Sequence, residues 1–457
     1  MQSFLAKQQK HFMIYLAVYV ALTFLLIIQV FTHPQFDGDD FLSADYFISQ
    51  GLAPHVDFFD AHPLFTNYFF AQIFWLTGSS PSSLILLSLL DIILTLFCAY
   101  LCSAIAKKNS FRNPHVASIL FLSSYTAVGF FFQRYDFAAM LGILLFFWFE
   151  KPFLRGLTLG FLILLSPITF FAAGVMGLAY LFQTFREHKK KLAPIIVGLL
   201  LSLLIWRLVQ YQTPLAAMYQ DIFVFNGSLG SYYPVPFLEF FFFTGIFEIS
   251  ALLFGTVIIY RKWRESKFVS LAAVFVAAML FQILMMNIVY GLFTRLKMPA
   301  LVPITVLMII LISDYKAKIG YLVVAFHLFL VLLAFTPNLS LPLLTDYALA
   351  NELNDCVKQD ATFYYDASPP ENVSRVHLFR EPSEFHWYLR HWATRANITL
   401  PPTAINDSYY ICGNTISASA IQCSEEHMQS LQNACNANKL SRPLWIPVRE
   451  RLRQVID

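Results

Sequence analysis

The sequence predicts a polytopic α-helical membrane protein with a small polar domain at its C-terminus. Three observations point there. Of 457 residues, 58% are hydrophobic and only 13% are charged, with a mean hydropathy of +0.59, whereas a soluble domain carries roughly 25% charged residues. Apolar runs of roughly 20 residues, long enough to cross a bilayer core, recur through the first three quarters of the chain. Lys and Arg fall in the short breaks between those runs and favour alternate breaks.

Apolar runs separated by polar or Pro-marked breaks give about eleven spans, at 12–31, 82–106, 115–132, 136–150, 156–166, 168–184, 192–209, 237–260, 268–290, 298–313 and 319–336. The first is too long for a signal-peptide core and no small-x-small cleavage site follows it, so it reads as a retained helix. The fifth and sixth are short and meet at Ser166-Pro167, as two spans or as one broken element dipping into the membrane. Counting basic residues loop by loop puts seventeen on the side of the N-terminus. The other side has only Arg134, Arg207, Arg295 and Lys297, with the residues after 337 left out. The richer side is expected to be cytoplasmic. An odd number of spans then leaves the C-terminal segment extracytoplasmic. The net charge of +3 carries no nucleic-acid signal, because the basic residues are dispersed among short loops.

Residues 337–457 are polar and contain Pro and Asn, with alternating stretches such as Ala361-Thr362-Phe363-Tyr364-Tyr365 and Ser408-Tyr409-Tyr410-Ile411. This pattern predicts a small extracytoplasmic α/β domain, large enough to hold its own core. It contains Cys356, Cys412, Cys423 and Cys435. Four cysteines outside the cytoplasm suggest up to two disulfides, with three pairings open. Cys98 and Cys102, one helical turn apart in the second span, read as membrane-packing residues.

The chemistry-bearing residues cluster after the first span. The segment FDGDDFLSADYFISQGLAPHVDFFDAHPLFTNYFF holds Asp37, Asp39, Asp40, Asp45, Asp57 and Asp60 with His55 and His62, and no Lys or Arg. Like charges at this density cost free energy unless a cation or substrate relieves them. Asp39-Asp40 can orient a hydroxyl, take its proton or hold a divalent cation. Asp57-x-x-Asp60-Ala-His62-Pro63 leads into an aromatic stretch from Phe65 to Trp75, expected to lie in the membrane interface as a shelf for a lipid-linked substrate. Arg134 and Asp136 occupy a short outer hairpin. Arg295 and Lys297, two cations against the charge bias, form a fork suited to a phosphate. Arg207 is a weaker candidate. Asp91, Glu248 and His327 fall inside spans, where ionisable groups are costly. No P-loop, GxGxxG or GxSxG occurs, which leaves nucleotide hydrolysis, dinucleotide chemistry and serine hydrolysis without support.

Taken together, these motifs resemble the GT-C membrane glycosyltransferases, in particular bacterial relatives of protein O-mannosyltransferases and of the lipid A aminoarabinose transferase. The resemblance rests on Asp39-Asp40 after the first span, Gly51-Leu52-Ala53-Pro54-His55-Val56-Asp57, His62-Pro63-Leu64, Asp136, the Gly156-to-Gly160 stretch before Ser166-Pro167, and Arg295 ahead of Pro299 and Pro303. The second acid is Asp rather than the family's Glu, one Pro of a Pro-Pro pair is missing, and Ser166 stands where Lys is common. The resemblance implies an inverting transfer of a sugar from a polyprenyl-phosphate donor, undecaprenyl phosphate in a bacterial inner membrane. The acceptor would lie in the envelope: lipid A or lipopolysaccharide, another glycan, or a protein. It implies Asp39 as base, with Asp40, Asp57, His62 and Asp136 in the catalytic set and Arg295, Lys297 and Arg134 on the departing phosphate. A divalent metal at Asp39, Asp57 and His62 stays open, and no other cofactor is implied. Two other readings stay open beside it, a polyprenyl-linked glycan polymerase or ligase and a lipid-linked sugar flippase. The sparse charge in 210–236, where Asp221 stands alone, argues against the former.

Overall fold

The computed structural model describes residues 2–32, 38–58, 63–77, 82–128, 135–165, 167–225, 251–290, 298–334, 342–358, 363–365, 408–411 and 414–437. These are predominantly helical. In chain order the helices are α1 (Gln2–Thr32), α2 (Gly38–Ser49), α3 (Asn67–Thr77), α4 (Ser82–Lys108), α5 (Pro114–Val128), α6 (Tyr135–Trp148), α7 (Pro152–Leu165), α8 (Pro167–Glu187), α9 (Leu192–Val209) and α10 (Leu215–Met218). They continue with α11 (251–262), α12 (Lys267–Tyr290), α13 (Met298–Ile312), α14 (Ala317–Ala334), α15 (Pro342–Cys356) and α16 (Glu425–Ala437). Each expected apolar run carries helix over its described residues, except at 149–150 and 313. The fifth and sixth runs carry two helices, α7 ending at Leu165 and α8 starting at Pro167, packed on each other.

Among the described residues, three helices are long and apolar enough to cross a membrane: Ile85–Lys108, Lys189–Val209 and Lys267–Met285. Shorter apolar helices include Tyr15–Ile28, Phe137–Trp148 and Val302–Ile312. The α9 helix leaves Ile196, Val197, Leu200, Leu203, Leu204 and Leu208 exposed. Such an aliphatic face is costly in water and costless against lipid.

The chain divides into two compact units. The first comprises 1–27, 91–211 and 222–335, and the second 28–90, 212–221 and 336–457. In the first unit, α13 is the inner helix, with residues 302–315 all buried and α5, α6 and α12 packed around it. Pro303 sits inside α13, which neighbouring helices make tolerable. The α7–α9 crossing depends on small residues. A Cβ at Gly156 would overlap the Ile195 carbonyl, one at Gly198 the Phe153 carbonyl, and one at Gly160 the Ser202 hydroxyl. The Gly156-x-x-x-Gly160 and Gly198-x-x-x-Ser202 faces therefore meet with their backbones nearly touching, the small-x-x-x-small geometry of apolar helix pairs.

Several polar side chains in this unit sit at helix ends. Lys262 pairs with the buried Asp314 at 2.6 Å, and Tyr315 donates to the Phe254 carbonyl at 2.9 Å. Asn113 donates from its side chain to the Tyr315 carbonyl at 2.6 Å and from its backbone to Ser313 at 2.8 Å. The turn between α13 and α14 is thereby tied to the start of α5 and to α11. Partial burial raises the Tyr315 phenol above its ordinary pKa. At the end of α8, Lys267 donates to Glu187 and holds that carboxyl below the usual carboxylate range.

In the second unit, strands β1 (Phe363–Tyr365), β2 (Ser408–Ile411) and β3 (Asn414–Ser417) form an antiparallel sheet in the order β1-β3-β2. Two of them fall on the alternating stretches 361–365 and 408–411. Leu349, Leu353 and Cys356 from α15, Ile411 and Ile416 from the sheet, and Met428, Leu431 and Cys435 from α16 share one buried cluster. Cys356 and Cys423, 67 residues apart, are joined in a disulfide, and the Cys356 carbonyl accepts from Gln422 N–H at 2.8 Å. Cys435 is also disulfide-bonded, while Cys412 lies outside the described residues. Cys98 and Cys102 are free and buried.

Two outcomes are expected from this packing. Gly198→Leu should lower stability by about 3 kcal/mol through overpacking, seen as a lower melting temperature in detergent. Gly174→Ala is the control, because its added Cβ meets open space. Cys423→Ser should cost the C-terminal region about 2–4 kcal/mol, measured as faster hydrogen exchange in α15 and α16, with α7–α9 unchanged.

Candidate functional site

The acidic segment after α1 folds as two short helices in the second unit. Asp39 and Asp40 fall in the first turn of α2, where the helix N-terminus lowers the cost of neighbouring carboxylates. The helix stops at Gly51, whose φ of +85° suits glycine. Gly51 N–H bonds the Ile48 carbonyl at 3.0 Å and Leu52 N–H the Phe47 carbonyl at 3.1 Å, a Schellman closure. Asn67, Phe70, Ala71 and Phe74 form the buried stripe of α3, at the spacing of one helical face. Asn67 donates to Asp45 of α2 at 2.7 Å, with both side chains buried. Tyr46 meets the edge of Phe74 at 6.2 Å. The expected interfacial stretch 65–75 is therefore helical over Asn67–Thr77, with Phe69, Trp75 and Leu76 facing outward.

Between these helices the chain makes a tight turn over 53–58. Asp57 Oδ2 accepts the Ala53 N–H at 2.7 Å, His55 N–H bonds the Phe58 carbonyl at 2.8 Å, and Pro54 bridges Phe58. Thr213, from the 212–221 segment of the same unit, donates its hydroxyl to the Pro54 carbonyl at 2.9 Å in a buried contact. The turn holds His55 at φ +63°, a conformation that non-glycine residues seldom adopt. The His55 ring is buried, and its Nδ1 lies 3.0 Å from Asp221 Oδ2.

Asp57, expected among the catalytic carboxylates, is an exposed residue with one oxygen committed to this turn. Asp136 is the second residue of α6. The side chains of Asp39, Asp40 and Asp136, and the whole of Asp37, Asp60, His62, Arg134, Arg295 and Lys297, lie outside the described residues. Arg207, the weaker phosphate candidate, donates to the carbonyls of Gln210 at 2.8 Å and Tyr211 at 3.4 Å. It closes the C-terminal end of α9, where a cation suits the exposed carbonyls. Among the described residues, the group of ligand-type side chains that converges is Cys356, Cys423 and His427. Two of these share a disulfide, so they offer no thiolate to a metal. The His55–Asp221 pair has no sequence signature, because 166 positions separate its members. The one hint was Asp221 as the solitary charge in the stretch 210–236.

Replacing Asn67 with Leu leaves a buried Asp45 oxygen short of a donor and should destabilise the α2–α3 pair by about 1–3 kcal/mol. Hydrogen exchange should accelerate across 44–77 and stay unchanged in α12 and α13. Comparison with known proteins supplies no relative from which to read the site: no protein-family model, curated protein or solved structure matches the chain.

Proposed function

We propose that the chain is an integral membrane glycosyltransferase. It transfers a sugar from a polyprenyl-phosphate donor to an extracytoplasmic acceptor, with inversion at the anomeric carbon. The observation that carries this reading is the acidic pair Asp39-Asp40 in the opening turn of α2, immediately after the first apolar helix. A carboxylate there is suited to orient an acceptor hydroxyl and take its proton. In this reading Asp39 is the base and Asp40 positions the acceptor. Arg295, Lys297 and Arg134 neutralise the lipid phosphate as it departs. That leaving group is already stable as an anion, so no separate general acid is required. The outward Phe69, Trp75 and Leu76 of α3 offer an apolar surface along which a lipid-linked donor can approach.

The reading includes about eleven spans, a cytoplasmic N-terminus and an extracytoplasmic α/β domain after residue 336. The basic-residue bias supports the orientation. The Cys356–Cys423 disulfide supports placing the C-terminal region in an oxidising compartment. A bacterial inner membrane with undecaprenyl-phosphate sugars fits both.

The test is turnover by the purified protein in detergent, using radiolabelled polyprenyl-phosphate sugars and an envelope-lipid extract. Wild type should move label to a new acceptor. Asp39→Asn should lose about 100-fold or more of the rate while keeping its elution profile and melting temperature. Near-normal turnover in that variant would remove Asp39 from the base role. A donor carried across vesicles without being consumed would mark a flippase instead.

A further inference from the structure

We propose that His55 touches the substrate. Asp221 sets its tautomer, and its Nε2 accepts the hydrogen bond of a sugar hydroxyl on the lipid-linked donor. The inference rests on the glycosyltransferase reading and adds a contact that the sequence motifs do not assign.

His55 Nδ1 lies 3.0 Å from Asp221 Oδ2. An ionised carboxylate can only accept here, so Nδ1 carries a proton, and in the neutral ring Nε2 then carries the lone pair. The His55 side chain is 1% exposed. Nε2 is buried with no hydrogen-bond partner among the described residues. A buried acceptor left unmatched is costly, yet the chain builds this one deliberately. Four contacts clamp the turn: Asp57 on Ala53, His55 N–H on Phe58, Thr213 on Pro54, and Asp221 on the ring. They hold a histidine in the left-handed region, which non-glycine residues seldom adopt. Backbone forced into such a conformation by several independent contacts marks positions where a side chain must be aimed.

The chemistry of Nε2 selects its partner. A lone pair backed by a carboxylate repels an anion, so a phosphate is a poor match. A metal ion needs further ligands, and among the described residues no group of three ligand-type side chains includes His55. A neutral O–H donor fits without changing the charge of the site. Sugars present such donors densely, and a site built to accept one hydroxyl strongly rejects an analogue lacking it.

The experiment measures direct binding by the full-length protein in detergent. The probes are undecaprenyl-phosphate glucose, galactose, mannose and arabinose, with their monodeoxy analogues. Asp221→Asn replaces the obligate acceptor with an amide that can also offer an N–H to Nδ1, which frees the ring proton to move to Nε2 and turn the acceptor into a donor. His55→Asn removes Nε2 with the non-glycine residue that best tolerates positive φ. Wild type should lose at least tenfold in affinity for one monodeoxy analogue of its donor. Both variants should bind the intact donor at least tenfold more weakly and show no further loss with that analogue. Nitrogen-15 spectra of histidine-labelled wild type give a readout independent of either variant's folding: an unprotonated Nε2 that shifts with the intact sugar but not with the deoxy analogue.

Equal sensitivity to the deoxy analogue in wild type and variants would overturn the contact and make the pair structural. An Nε2 signal indifferent to every sugar would mean a buried water only. Binding abolished by a chelator would assign Nε2 to a metal. Wild type that consumes donor while the variants match it overturns this inference alone. Wild type that neither binds nor consumes any probe overturns the glycosyltransferase reading and the inference with it.

Discussion

Backbone polar groups that cannot reach water must bond to one another, and this constraint organises most of the described chain. With 13% charged residues, the chain has little polar surface with which to solvate loops. Helices answer the constraint because each closes its own hydrogen bonds. Polar side chains then gather where helices end. Asn113, Lys262, Asp314 and Tyr315 tie neighbouring helix ends in the first unit, and Arg207 covers the final carbonyls of α9. The same logic lets α13 be buried along residues 302–312, because a helix closes most of its own backbone bonds.

Packing without a hydrophobic driving force requires close approach. Where both partners are equally at ease in lipid, helices associate through dispersion and shape. The glycines of α7 and α9 remove the side chains that would hold the axes apart, so larger residues on either flank interlock. Gly255 of α11 performs a similar service against Met308 of α13, which occupies the space a Cβ would need. These are positions where volume rather than polarity sets the limit.

The second unit follows different rules. In its α2–α3 region, buried polar side chains specify the geometry: Asp45 with Asn67, Thr213 with the Pro54 carbonyl, and His55 with Asp221. Such contacts are directional and tolerate little error. In its C-terminal part a disulfide supplements a small apolar cluster, as expected where the core alone is modest.

The apolar runs marked helices over the described parts of the expected spans, because any long apolar stretch must close its own backbone bonds wherever it sits, but not α2, α10, α15 or α16. The strand positions at 363–365 and 408–411 were likewise legible as alternation. The acidic cluster after α1 marked the candidate site by charge density alone. What only the tertiary structure decided was the pairing of distant residues. Nothing in the spacing of Gly156 and Gly198 announces that they share a crossing, and no motif joins His55 to Asp221. Asp57 reads in sequence as one more free carboxylate, yet one of its oxygens anchors a turn. Local patterns report what a residue needs from its own segment, whereas contacts across 166 positions depend on how the whole chain closes upon itself.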